Sequence, residues 1–175
     1  MKAVLLEVSP QDLERRRKLG LDRWDEMWEG VLHRTPAPNV PHQRAQRDLG
    51  SFLNSLLSRK HRGEVLSGVN VFNDASAESD YRIPDHSYVK SGRESAIEEN
   101  GIHGPPDAVI EIRSPEDESY AKLPWFAALG VREAIIIQRD SKEPEVYRLA
   151  GSQYIAVARD KENFSKADRD TPESV

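Results

Sequence analysis

Tyr81-Arg-Ile-Pro-Asp-His-Ser-Tyr-Val89 and Asp107-Ala-Val-Ile-Glu-Ile-Arg113 are two apolar stretches that each carry a carboxylate where a core strand should have none. Burying an unpaired charge is costly, so Asp85 and Glu111 each need a reason to be there. Two carboxylates on adjacent strands, with a cation close by, make a site for a hard divalent ion.

Strand periodicity sharpens the choice. Asp107, Val109, Glu111 and Arg113 share one face, and Ala108, Ile110 and Ile112 share the other. Glu111 and Arg113 are expected to project together, with the isoleucines entering the core. Two Pro-Asp pairs compete as the partner of Glu111. Asp107 lies four residues away on the same strand, roughly 13 Å at the usual rise. Ligands of one small cation must each sit about 2 Å from it, so Asp107 fails. Asp85 succeeds if its strand pairs beside the Glu111 strand, at about 5 Å.

Working outward, Ser9-Pro10-Gln11-Asp12 opens a helix that Gly20 stops. A second short helix is expected over Leu21 to Trp28, with Trp24 and Trp28 one turn apart. Val31 to Arg34 reads as a short strand. Pro41 is placed to begin a long helix, on which Ala45, Leu49, Phe52, Leu53, Leu56 and Leu57 recur at helical spacing. That helix ends at Arg59-Lys-His-Arg-Gly63, and Glu64 to Phe72 follows as a strand. Asp74 to Asp80 is a polar loop, and Ser91 to Pro106 is expected to be a mobile surface loop. A helix near Trp125 to Leu129 precedes the central strand Ala134 to Ile137. Glu145 to Leu149 and Tyr154 to Val157 form a closing hairpin. The expectation is one α/β domain over residues 1–160 and a frayed polar tail over 161–175.

Composition excludes several classes. The chain has 175 residues and no cysteine, which rules out disulfides, a thiol nucleophile and a thiolate zinc site and suits a reducing cytoplasm. No apolar run approaches the ~20 residues that span a bilayer, and the N-terminus is too short and acidic for a secretory signal. A net charge of −5 argues against a protein that coats DNA. It leaves room for an enzyme that meets nucleic acid through one local basic surface.

Asp85, followed by Glu111-Ile112-Arg113, resembles the PD-(D/E)-x-K nuclease superfamily. Within it the chain resembles the Uma-two family of restriction endonucleases, from about Leu21 to Leu149. The likeness rests on Trp28-Glu-Gly-Val-Leu32, His42 before an amphipathic helix, Ile83-Pro-Asp85 and Pro106-Asp-Ala-Val-Ile-Glu-Ile-Arg-Ser-Pro115. Lys122 ahead of an aromatic and Leu129-Gly-Val131 complete it. The resemblance implies a restriction-endonuclease-like fold, a mixed central sheet flanked by helices. It implies Mg²⁺ or Mn²⁺ held by Asp85 and Glu111, with the Ile112 carbonyl as an extra ligand. An acidic residue on the early helix would complete the site: Glu26 is the closer match, with Glu29 as its neighbour.

Two departures stand out. Arg113 replaces the superfamily's lysine and cannot act as a base. Lys122 matches a lysine in the following helix, but Pro124 suggests a helix starting there and leaving Lys122 just ahead of it. The implied reaction is metal-assisted hydrolysis of DNA, with Lys122 or Arg113 stabilising charge on phosphate, by a homodimer because a duplex needs two cuts. The rival readings are a nuclease-fold module that binds nucleic acid or assembles without catalysis, and a phosphoesterase acting on small nucleotides or RNA.

Plain structural readings stand beside these. Asp85 could cap a turn, and Glu111 could form an ion pair with Arg113 or Lys122. Glu26 and Glu29 read as solvated glutamates on an exposed helix, and His42 as a surface residue at a helix start. The clusters Arg15 to Lys18 and Arg59 to Arg62 complement helix C-termini. Trp24, Trp28 and Trp125 read as core or interface aromatics.

Overall fold

The computed structural model describes residues 3–5, 8–34, 37–58, 62–73, 80–114 and 117–157. One sheet contains β1 (Ala3–Leu5), β2 (Asp25–Trp28), β3 (Val31–Arg34), β5 (Val71–Phe72), β6 (Tyr81–Arg82), β8 (Ile97–Glu98) and β9 (Gly101–His103). Its spatial order is β1-β3-β2-β6-β5-β9-β8. The other contains β4 (Gly63–Ser67), β7 (His86–Lys90), β10 (Ala108–Arg113), β11 (Glu133–Gln138), β12 (Pro144–Ala150) and β13 (Gln153–Ala156). Its order is β13-β12-β11-β10-β7-β4. Both are mixed, with β5 parallel to β9 and β10 parallel to β11. Helices α1 (Pro10–Lys18), α2 (Val40–Ser58) and α3 (Ser119–Leu129) flank them. The expected α/β class with helices around mixed sheet is therefore what forms, divided between two sheets.

That division follows from two segments that each read as one strand. Pro84 has no N–H to give a ladder, and the 81–89 stretch breaks at Ile83-Pro84-Asp85 into β6 and β7, one in each sheet. The 64–72 stretch likewise splits into β4 and β5 at Gly68-Val69-Asn70. The two crossings run side by side, joined by the Gly68 N–H donating to the Asp85 carbonyl at 3.1 Å.

Local chemistry accounts for the helix starts. Ser9 Oγ accepts from the Asp12 N–H, with Pro10 at the first helical position of α1. Asn39 Oδ1 accepts from the His42 N–H at 3.0 Å and caps α2. The apolar stripe on α2 is only partly covered: Phe52 is 63% exposed, whereas Gly50 is buried against His86. Strand β10 is buried on both faces, as a central strand should be. Val109 packs with Phe126, Val131 and Ala134 beneath α3, and Trp125 and Leu129 of α3 also cover Val71, Val89 and Ile102. Thus α3 joins the cores of the two sheets.

Three expectations change. Leu21 to Trp28 is not a helix, because residues 25–28 form β2 between β3 and β6. Glu29 and Gly30, with φ of 50° and 84°, make the two-residue turn into β3, a primed hairpin whose twist suits paired strands. Trp28 consequently stacks on His33 at 4.0 Å rather than beside Trp24. Ser91 to Pro106 is structured: a short 3-10 turn, Glu94–Ala96, precedes β8 and β9, and Ile102 and Pro106 are fully buried. The closing hairpin forms as β12 and β13. The loop at 74–79, the basic cluster at 59–61 and the tail from Asp160 lie outside the described residues.

Gly101 has φ of +148°, and a Cβ there would meet the Asn70 carbonyl at 2.4 Å. Gly101→Ala is expected to destabilise by about 3 kcal/mol, read as a lowered urea midpoint.

Candidate active site

Asp85 sits in the crossing between β6 and β7. The last antiparallel pair of β7 with β10 is His86 with Ile110, so Asp85 and Glu111 come immediately beyond it on neighbouring chains. Strand β10 runs on to Arg113 with this edge unpaired, and the Ile112 N–H donates to Asp85 Oδ2 at 2.7 Å instead. The N–H and C=O of one strand residue point the same way, so the Ile112 carbonyl also faces Asp85. The Arg113 carbonyl faces the opposite way, accepting from the Arg139 N–H. Asp85 Oδ1 meets His42 Nε2 at 2.8 Å, and the Gln46 amide donates to the Asp85 carbonyl at 3.1 Å.

Glu111 faces α3, as Val109 does. Lys122 Nζ lies 3.0 Å from Glu111 Oε1 and 2.7 Å from Glu26 Oε1, and it donates to the Ile83 carbonyl at 3.3 Å. Glu26 Oε1 also accepts from the Ile83 N–H, and Glu26 Oε2 accepts from Trp28 Nε1 at 2.7 Å. Glu26, Glu111 and Lys122 are all buried. The cluster therefore unites one carboxylate from each sheet, one from the crossing, and an ammonium from the helix between the sheets.

Several sequence expectations are corrected here. Helix α3 starts at Ser119 and runs through Pro124, so Lys122 is inside it. The proline removes one helical hydrogen bond, but the double ion pair of Lys122 and the burial of Phe126 hold the turn in place. Glu26 is on a buried strand, not an exposed helix. Glu29 stays outside the cluster, exposed at the β2–β3 turn, with its N–H bonded to Asp80. Arg113 is not brought to the carboxylates: it donates to Gln138 Oε1 at 3.1 Å, and its guanidinium lies over Tyr120.

Burial pushes the Glu111 carboxyl up to about 8, with the negative charges of Asp85 and Glu26 adding to the effect and Lys122 opposing it. Burial would lower Lys122, but Glu111 and Glu26 more than reverse this and hold the ammonium. Glu26 and Glu111 thus share one ammonium, while Asp85 is held by His42 and the Ile112 N–H. Glu111 Oε1 is buried without a well-aligned hydrogen-bond donor, the ammonium approaching it obliquely. Among the described residues no three His, Asp or Glu side chains converge as a ready-made metal cage. Asp85, Glu111 and the Ile112 carbonyl are oxygen donors that could hold a hard cation. Oxygen-only ligands and surplus negative charge fit a divalent ion.

This arrangement gives the metal-free protein a pH signature. A folded value above the ordinary 4.5 of glutamate means the protonated form favours folding. That contribution is full below pH 4.5 and is lost as pH rises through about 8. Urea midpoints in chelator should fall across this window, and Glu111→Gln should flatten the decline.

The sequence profile of Uma2, described as "Putative restriction endonuclease", matches residues 12–172. The chain belongs to the Uma2 family. Among solved structures, it is similar to a crystal structure described as a putative nuclease belonging to DUF820 from Anabaena variabilis ATCC 29413, at 22% identity. The likeness covers 77% of this chain and 76% of that one, with a TM-score of 0.61. At this identity the likeness is one of fold. No curated protein matches the sequence. No helix among the described residues is long and apolar enough to cross a membrane.

Sequence reading of this Uma2 chain did not assign His42 and Ser114 to the site. His42 Nδ1 lies 3.2 Å from Ser114 Oγ while Nε2 holds Asp85. The available signal was His42 three residues after Asn39, at the start of a helix whose next turn carries Gln46.

Proposed function

We propose that this chain is a metal-dependent endonuclease hydrolysing DNA phosphodiester bonds, with Mg²⁺ or Mn²⁺ held by Asp85, Glu111 and the Ile112 carbonyl. What supports this reading is that Asp85 and Glu111 lie on neighbouring chains immediately beyond the last β7–β10 pair, with a buried lysine delivered onto Glu111. The family's description and the nuclease named in the Anabaena structure point the same way. The bound ion would supply Lewis-acid polarisation of the phosphate and a more acidic water.

The chain's own residues divide the remaining work. Glu26, fixed by Trp28 and the Ile83 N–H, holds Lys122 at the edge of the site. Lys122 is assigned the negative charge that grows on the phosphate. Arg113, tied to Gln138 and Tyr120, anchors the end of β10 rather than the reacting group. Cutting both strands of a duplex takes two such sites, which a homodimer would supply.

The test is nicking of supercoiled plasmid with Mg²⁺ or Mn²⁺. Activity should disappear in Asp85→Ala and in Glu111→Ala, and a rate that survives both changes would falsify the assignment. One observation favours the non-enzymatic alternative: Lys122 and His42 already partner both carboxylates, as a structural network would. Calorimetry with Mn²⁺ separates the two, because a module without catalysis should show no heat of binding at millimolar ion.

A further inference from the structure

We propose that His42, itself oriented by Ser114, is a positioning residue that aims Asp85 at the cation. This inference rests on the metal-dependent reading and adds to it a residue that acts through a ligand rather than on the substrate. The backbone of His42 is fixed first, because Asn39 Oδ1 caps α2 through the His42 N–H. Its imidazole is largely buried, at 14% side-chain exposure, with Nε2 2.8 Å from Asp85 Oδ1. An ionised carboxylate only accepts hydrogen bonds, so Nε2 carries the hydrogen, and Nδ1 of a neutral ring is left to accept from the Ser114 hydroxyl.

Ser114 is in turn held. It follows β10 directly, and its N–H donates to Asp117 Oδ2 at 2.5 Å. The chain Ser114–His42–Asp85 therefore ties the start of α2 to the end of β10 across the site. From the other side the Ile112 N–H occupies Asp85 Oδ2. Hydrogen bonds on both oxygens remove rotation about the carboxylate, and each oxygen keeps one lone-pair direction free. One turn along α2, Gln46 grips the Asp85 carbonyl. A ligand that is already aimed loses less freedom on binding, which is why partners of metal ligands affect affinity without touching the ion.

The experiment is Mn²⁺ titration by calorimetry on the full chain, paired with metal-free thermal unfolding. His42→Ala is expected to weaken Mn²⁺ binding by about 10- to 100-fold, and Ser114→Ala by less. His42→Gln, which keeps a side-chain N–H donor, should recover most of the affinity. If His42→Ala does not fold, His42→Gln and Ser114→Ala decide, and loss of affinity in Ser114→Ala supports the relay. Wild-type protein that binds no Mn²⁺ sinks the metal reading and this inference with it. Wild-type protein that binds, alongside variants with unchanged affinity and lowered melting points, overturns the inference alone and leaves His42 a structural residue.

Discussion

Lys122→Met is expected to slow plasmid nicking by about 100- to 1,000-fold, the usual effect of removing one group that meets transition-state charge. It should also destabilise the metal-free protein by ~3–5 kcal/mol, because breaking a buried pair leaves charge uncompensated. Methionine fills the volume of the lysine stem, so the loss is electrostatic. Glu26 and Glu111, both buried, would face each other across the space where the ammonium lay 2.7 and 3.0 Å from them. Two further results follow from that cause. Mn²⁺ should restore part of the lost stability, since it supplies positive charge to the same carboxylates. Adding Glu111→Gln should restore stability without restoring the rate. Urea unfolding with and without Mn²⁺ reads the first effect, and the double variant reads the second. A Lys122→Met protein as stable as its parent would mean that Glu26 and Glu111 do not share the ammonium as described.

Arg82→Met is expected to cost about 4–5 kcal/mol, close to the whole stability of a marginal domain. The guanidinium is buried between Trp28 and Trp125, 4.5 Å from each ring. Desolvated contacts of this kind are worth about 2 kcal/mol each. The same group donates to the Met27 carbonyl at 2.6 Å and to Asp80 Oδ1 at 2.9 Å. Without it Asp80 keeps Trp125 and Asn73 as donors but loses its ion pair. Arg82→Lys should recover little, since an ammonium has no planar face to stack between two rings. The measurement is chemical unfolding of both variants. A lysine variant of parental stability would show that the stack contributes nothing. The consequence reaches the site, because Trp28 holds Glu26 and Trp125 follows Lys122 on α3.

Asp85 and Glu111 are legible as candidates because the pattern that marks them is local. Alternation marks the apolar strand around Glu111, and rise per residue alone disqualifies Asp107. Lys122 was legible as a family position, but Pro124 pointed to a later helix start. The proline lost that contest because α3 is anchored by long-range ion pairs that no window of sequence contains. Glu26 is expected on a helix and instead lies on β2, paired with Lys122. The four-residue spacing of Trp24 and Trp28 suits a helix, whereas pairing with β3 through the Glu29-Gly30 turn makes residues 25–28 a strand. His42 reads as a surface residue at a helix start because its partner is a carboxylate 43 residues away.

The amino-acid order alone determined which segments alternate or run apolar, where α1 and α2 begin, and which acid could accompany Glu111. Those properties depend on neighbours a few residues apart. Tertiary structure alone decided that two apparent strands each divide between sheets, that Glu26 and Lys122 arrive from different layers, and that α2 grips Asp85. The reason is that β-pairing and buried ion pairs are set by competition among distant partners. Each partner's local pattern is compatible with several of these pairings, and only joint burial selects one.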